Sequence, residues 1–132
     1  MRRYILQLCF CLAILLSGLT ACTDPEASKA RYLEEGRQLL EQGDYERARI
    51  SFKNVLQIDP KDAKGHYWMA QAYEKLGQLN QAVGHLRAAL EESPDYNDAK
   101  TKLARIYFGA RLYDEAAKLV GEVLAKEPER VD

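Results

Sequence analysis

Between residues 29 and 130 apolar positions recur every three or four residues, in runs of about a dozen broken by glycine or proline. Tyr32, Leu33, Gly36, Leu39 and Leu40 fall on one helical face. Gly43 ends that run, because glycine takes the left-handed cap conformation without a side-chain clash. A second run holds Tyr45, Ala48, Phe52, Val55 and Leu56 and stops at Asp59-Pro60, where proline drives the preceding residue out of helical geometry. The scheme then repeats. Trp68, Met69, Tyr73 and Leu76 lead to Gly77, and Leu79, Ala82, Leu86, Ala89 and Leu90 lead to Pro94. Leu103, Ile106 and Tyr107 are followed by Leu112, Tyr113, Ala116, Val120, Val123 and Leu124, then Pro128. Pro60, Pro94 and Pro128 stand 34 residues apart, as do Gly36, Ala70 and Ala104, and Ala48, Ala82 and Ala116. The pattern predicts an all-α chain of three stacked helix-turn-helix units, 29–62, 63–96 and 97–130.

Small residues midway along each first helix and early in each second helix let the two helices approach closely. Tyr73 and Tyr107, with Leu39 in their place in the first unit, fill the space beside them. A large residue at Ala82 should overpack its pair by ~1–3 kcal/mol. Two positions depart from the repeat. Glu35 stands where Met69 and Leu103 are apolar, and Arg111 replaces the turn glycine, with Gly109 expected to relieve the turn.

The front of the chain has a different pattern. Met1-Arg2-Arg3 is basic and Tyr4 to Leu19 is almost wholly apolar, the layout of an export signal. Leu19-Thr20-Ala21-Cys22 resembles the bacterial lipoprotein box. That resemblance implies a signal peptide over 1–21, cleavage before Cys22, diacylglycerol on the Cys22 sulfur, and a tether over 22–28. The rival is an uncleaved spanning helix, for which the run is at the short limit. Thr23 after Cys22 leans towards the outer membrane over the inner one. Cys9 and Cys11 leave with the signal, so no disulfide and no thiolate zinc site remains. The formal charge of −1 becomes −3 without Arg2 and Arg3. No basic stripe marks a nucleic-acid binder.

The ordered small residue, tyrosine, glycine turn, alanine and proline resemble the tetratricopeptide repeat. The resemblance implies a solenoid whose first helices line an inner groove that binds protein or peptide. Its groove positions fall on Leu33, Arg37, Leu40, Tyr67, Gln71, Glu74, Thr101, Arg105 and Phe108. Arg37 and Arg105 beside Tyr67 and Phe108 suit an extended peptide with carboxylates and apolar side chains; a plain solvated face is the alternative. The lysines and asparagines with which the family clamps a chaperone C-terminus are missing: Leu33, Arg37, Trp68, Asp98 and Lys102 occupy those places. Tyr67 and Trp68 are adjacent, so one of them is expected at the groove or a repeat interface.

Catalysis has no motif behind it. His66 and His85 lie on different helices without further ligands, and no nucleophile triad, phosphate loop or HExxH is present. Neither enzyme, metal nor cofactor is expected. At the other end, Pro128 to Asp132 reads as the opening of a fourth unit (131–132), and no capping helix follows the third pair. Either the array continues or that end is covered by a partner or a second copy.

Together these features resemble the repeat lipoproteins of PEP-CTERM exopolysaccharide systems, through Tyr32-Leu33-Glu34-Glu35-Gly36, Gly43-Asp44-Tyr45 and the stretch from Phe52 to Pro60. They resemble less closely the pilotin of type IV pili. Both imply a periplasm-facing, lipid-anchored adaptor for export or assembly of surface polysaccharide or protein. The rivals are a structural, self-associating module and an accessory domain of a longer enzyme.

Overall fold

The computed structural model describes residues 24–126. The expectations for the signal peptide, Cys22 and Pro128 to Asp132 lie outside these residues. Six helices follow in order: α1 Pro25–Glu41, α2 Tyr45–Ile58, α3 Ala63–Lys75, α4 Leu79–Glu92, α5 Asn97–Gly109 and α6 Tyr113–Lys126. They pair as α1/α2, α3/α4 and α5/α6, and each pair stacks on the next through α2/α3 and α4/α5. The helices α3 and α5 open at residues 63 and 97, 34 residues apart. The first helix opens four residues earlier than expected, so half of the predicted tether is helical. Asp24 explains the early start: its side chain accepts the Glu26 N–H at 3.0 Å, and Pro25 occupies the first helical position, where its missing N–H is no loss.

Asp44 and Asp62 cap α2 and α3 in the same way, accepting from the N–H groups of Arg47 and Gly65. Each of the three turns within a pair closes with the same two backbone bonds. Gly43, Gly77 and Arg111 donate to Leu40, Glu74 and Phe108; Asp44, Gln78 and Leu112 donate to Leu39, Tyr73 and Tyr107. This geometry needs a positive φ at the first donor, and the values are 80°, 73° and 62°. Arg111 itself therefore takes the left-handed conformation. Gly109 does not relieve it, because Gly109 is still helical at the end of α5.

Two buried clusters form the core. Leu39, Ala48, Phe52, Met69 and Ala72 make one, with Leu33, Leu40, Leu56 and Trp68 packed against it. Ala70, Ala82, Leu86, Ala89, Ala99 and Leu103 make the other. Tyr73 packs against both, so the repeats share one continuous interior. Glu35 is exposed while its counterparts Met69 and Leu103 are buried, because nothing precedes α1 among the described residues for an apolar group to meet.

A three-carboxylate cluster ties the first unit to the second. Lys29 Nζ on α1 reaches Asp59 at 3.0 Å, Asp62 at 3.2 Å and Glu26 at 3.1 Å. Asp59 first of all, then Glu26 and Asp62, holds the Lys29 ammonium well above its ordinary range.

Candidate functional site

The first helices α1, α3 and α5 carry all nine predicted groove positions, and the structure divides them into groups. Leu33 and Leu40 are half-buried against the first core cluster. Arg37 is exposed and lies 5.1 Å above the Trp68 ring, with Glu34 at 3.4 Å. Trp68 in turn stacks on Phe52 at 6.3 Å, so the tryptophan is packing with a cation on its outer face. Tyr67 is the member of the adjacent pair that meets the junction with the third unit, its ring 5.0 Å from that of Tyr96, the residue that caps α5. Burial first, then Tyr67, Asp98 and Asp62, pushes the Tyr96 phenol up to about 12, so it stays neutral.

A shallow pocket of about 260 Å³ gathers Tyr67, Asp98, Thr101, Lys102 and Arg105 between α3 and α5. Thr101 is held by donating to the Asn97 carbonyl one turn back, at 2.9 Å. Glu74 joins the two helices from the side: one oxygen accepts from Lys102 at 2.7 Å, the other from Arg105 at 3.0 Å. Burial works to raise the Glu74 carboxyl, but Lys102 and Arg105 outweigh it and keep the group below the ordinary carboxylate range. One carboxylate thus serves two cations, and with Asp98 also in the lining the patch balances two cations against two carboxylates beside an aromatic ring. Gln71 is half-buried one turn beyond Tyr67. Phe108 stands apart, 65 % exposed and edge-on to Tyr113 at 5.4 Å.

Sequence reasoning placed Arg105 at the groove but missed its pairing with Glu74, since residues 31 positions apart show no local signal. The two histidines, on different helices as expected, are in contact. His66 Nε2 faces the Pro60 carbonyl at 3.0 Å, and a carbonyl only accepts, so that nitrogen carries the proton. His66 Nδ1 is then an acceptor for the His85 Nδ1–H at 3.0 Å. Burial first, then the electrostatic influence of His66, lowers the His85 pKa. Among the described residues no three His, Cys, Asp or Glu side chains are placed to hold a metal ion, the carboxylates around Lys29 included, and none of the helices is long and apolar enough to cross a membrane.

The family model described as "TPR repeat" matches residues 36–77, and the one described as "Tetratricopeptide repeat" matches 75–132. Hsp70-Hsp90 organizing protein 1 of Glycine max is 29% identical over 106 residues, 80% of this chain and 18% of that protein. The chain thus spans less than a fifth of the length of the curated relatives it matches. Among solved structures, the first repeat domain of Spaghetti (RPAP3) bound to the HSP90 peptide SRMEEVD superposes with a TM-score of 0.75, at 23% identity over 81% of this chain and 84% of that one. PilF of Pseudomonas aeruginosa superposes with a TM-score of 0.73, at 20% identity over 80% of this chain and 47% of that one.

Proposed function

This chain is a tetratricopeptide-repeat protein, and from that premise we propose that it is a lipid-anchored adaptor that faces the periplasm and holds a protein or peptide partner for export or assembly at the cell surface. The pocket of Tyr67, Asp98, Thr101, Lys102 and Arg105 on the first-helix face carries the reading. An aromatic wall with two cations and two carboxylates beside it suits a partner segment that sets charged groups next to an apolar side chain. The peptide-bound repeat domains with the same fold support it; the chaperone tails they bind are not the expected ligand, because the clamp residues are replaced here. Lipid on Cys22 supplies the anchor, and two or three acyl chains hold a protein at a bilayer far better than one.

The test joins the two halves of the reading. Photo-crosslinkers on the exposed Thr101 should capture a partner in intact cells, and Arg105→Glu or Arg37→Glu should abolish the capture while the chain stays monomeric. Cys22→Ser should move the protein from the membrane to the soluble fraction. Capture that ignores both charge reversals would sink the groove, and membrane retention of the serine variant would sink the anchor. Val120 and Leu124, 44 % and 39 % exposed on α6, favour one second reading, self-association through the third repeat. There, Val120→Glu would dissociate an oligomer that Arg105→Glu leaves intact. A role as a secretin-assembly factor, like that of a pilotin, fits the same anchored geometry.

A further inference from the structure

The first unit carries two charges where its sister units carry packed residues. Arg31, Gly65 and Ala99 stand 34 positions apart, as do Glu35, Met69 and Leu103. A Cβ on Gly65 would lie 2.9 Å from the Val55 side chain of α2, and Ala99, Met69 and Leu103 are buried. Arg31 and Glu35 are instead exposed on α1. They lie one turn apart, with Cβ atoms about 5–6 Å from each other. Neither forms an ion pair among the described residues, and arginine before glutamate is the weaker order for such a pair. The Arg31 guanidinium lies over the Tyr32 ring, at 4.4 Å.

Two adjoining clefts between α1 and α2 meet at these charges. One, of about 450 Å³, runs from Pro25 and Ser28 past Arg31 to Asn54, Gln57 and Ile58. The other, of about 260 Å³, holds Arg31 and Glu35 together with the exposed Ile50 and with Arg47, whose charge already meets Asp44 at 3.4 Å. The clefts thus offer an arginine and a glutamate not engaged in ion pairs, neutral hydrogen-bonding side chains and a little apolar wall.

Position decides what meets them. Pro25 lines the first cleft and is three residues from Cys22, a span of at most about 11 Å. The headgroup layer of a bilayer is itself about 5–8 Å deep on each side. Lipid on Cys22 therefore puts the clefts within reach of the headgroups, whereas Glu41, at the far end of α1, is about 25 Å further on.

We propose that these clefts seat the headgroup of a zwitterionic membrane phospholipid, its phosphate on Arg31 and its ammonium on Glu35. A guanidinium fork matches phosphate oxygens, and Ser28, Asn54 and Gln57 add neutral donors around them. The inference rests on the lipid anchor proposed above and deepens it: the covalent lipid holds the chain at the bilayer, and the headgroup sets which side of the first unit lies against it. No residue of the inner-face pocket lines either cleft.

The test couples the mature chain, residues 22–132, through its Cys22 thiol to a maleimide lipid. The carrier is a nanodisc of phosphatidylethanolamine and phosphatidylcholine with spin labels on a fraction of the headgroups. Amide relaxation by the label should be strong at Arg31, Asn54 and Ile58 and weak at Glu41 and Asp44. Arg31→Glu should cut the effect at Asn54 and Ile58 about fivefold, and Arg31→Lys should restore most of it. Glu35→Lys should also cut it, and neither charge reversal should move the melting temperature, since both side chains are exposed. Discs of phosphatidylglycerol, which has the phosphate but no ammonium, should give the weaker effect. Equal relaxation at Asn54 and Asp44, indifference to Arg31→Glu, or an equal effect in phosphatidylglycerol would each overturn the proposal. Thiol coupling supplies the lipid whether or not cells do. A failed headgroup seat is therefore distinguishable from a failed anchor, which the Cys22→Ser fractionation reads.

Discussion

Gly36 shows how far one missing carbon matters. A Cβ on it would lie 2.4 Å from Cε1 of Phe52, whose ring fills the space that α1 leaves. In the second repeat the corresponding residues are Ala70 and Leu86, both fully buried in one cluster: a larger small residue against a smaller large one. Gly36→Ala should therefore destabilise by ~1–3 kcal/mol through overpacking. Adding Phe52→Leu should restore part of that loss by reproducing the second repeat's solution, so the two changes should couple favourably in denaturant unfolding. Additive losses would count against this account. The small residues were legible in the sequence because they recur at a fixed spacing. Their partners were not, because Gly36 and Phe52 meet only once two helices have folded together.

For whole elements, the sequence was most informative where backbone chemistry punctuates it. Glycine and proline marked the ends of α1 to α4, since φ restrictions act locally. The early start of α1 escaped because Asp24 and Pro25 were read as linker rather than as cap and first helical residue. The left-handed Arg111 escaped because nothing about arginine announces that conformation; only the register of the neighbouring turns does. Across the α3/α4 pair, the His66–His85 contact gives a pH dependence. The unfolded chain protonates His85 below about pH 6.5, while the folded chain resists, so the unfolded state binds more protons there. Stability should be full above that pH and fall as pH drops through the lowered folded value. A melting series from about pH 7.5 to about pH 5.5 should show this decline, and His85→Leu should flatten it. Glu74, Asp59, Asp95 and Glu122 are all held below the ordinary carboxylate range, so their contributions disappear at lower pH, in a separate window.

Across the molecule as a whole, packing is uneven. Phe108, Leu112, Tyr113, Val120 and Leu124 are all exposed in the third unit, whereas Ile50 and Leu79 are the exposed large apolar residues of the first two. In a stack where each unit leans on its neighbours, the middle pair α3/α4 should exchange its amides most slowly and α6 most rapidly. Hydrogen exchange read by mass spectrometry on the monomer checks this order; equal protection of α6 and α4 would contradict it. The three helix pairs were legible from the 34-residue period, and Tyr67, Thr101 and Arg105 were singled out through the resemblance to the tetratricopeptide repeat. The crevice between α4 and α5, lined by Leu79, Val83, Ile106 and Leu112, was invisible, because it is made by elements that meet only across a repeat boundary. The graded pairs at the helix seams bear on folding itself. Near-identical repeats risk joining the wrong halves, a first helix of one unit closing on the second helix of another. Phe52 has room against Gly36 but would clash with the β-carbon of Ala70, and Leu86 would leave a void against Gly36. The first two units are alike enough to stack and different enough that α1 matches α2 better than it matches α4, so proofreading of that junction is written into a few methyl-sized differences in volume.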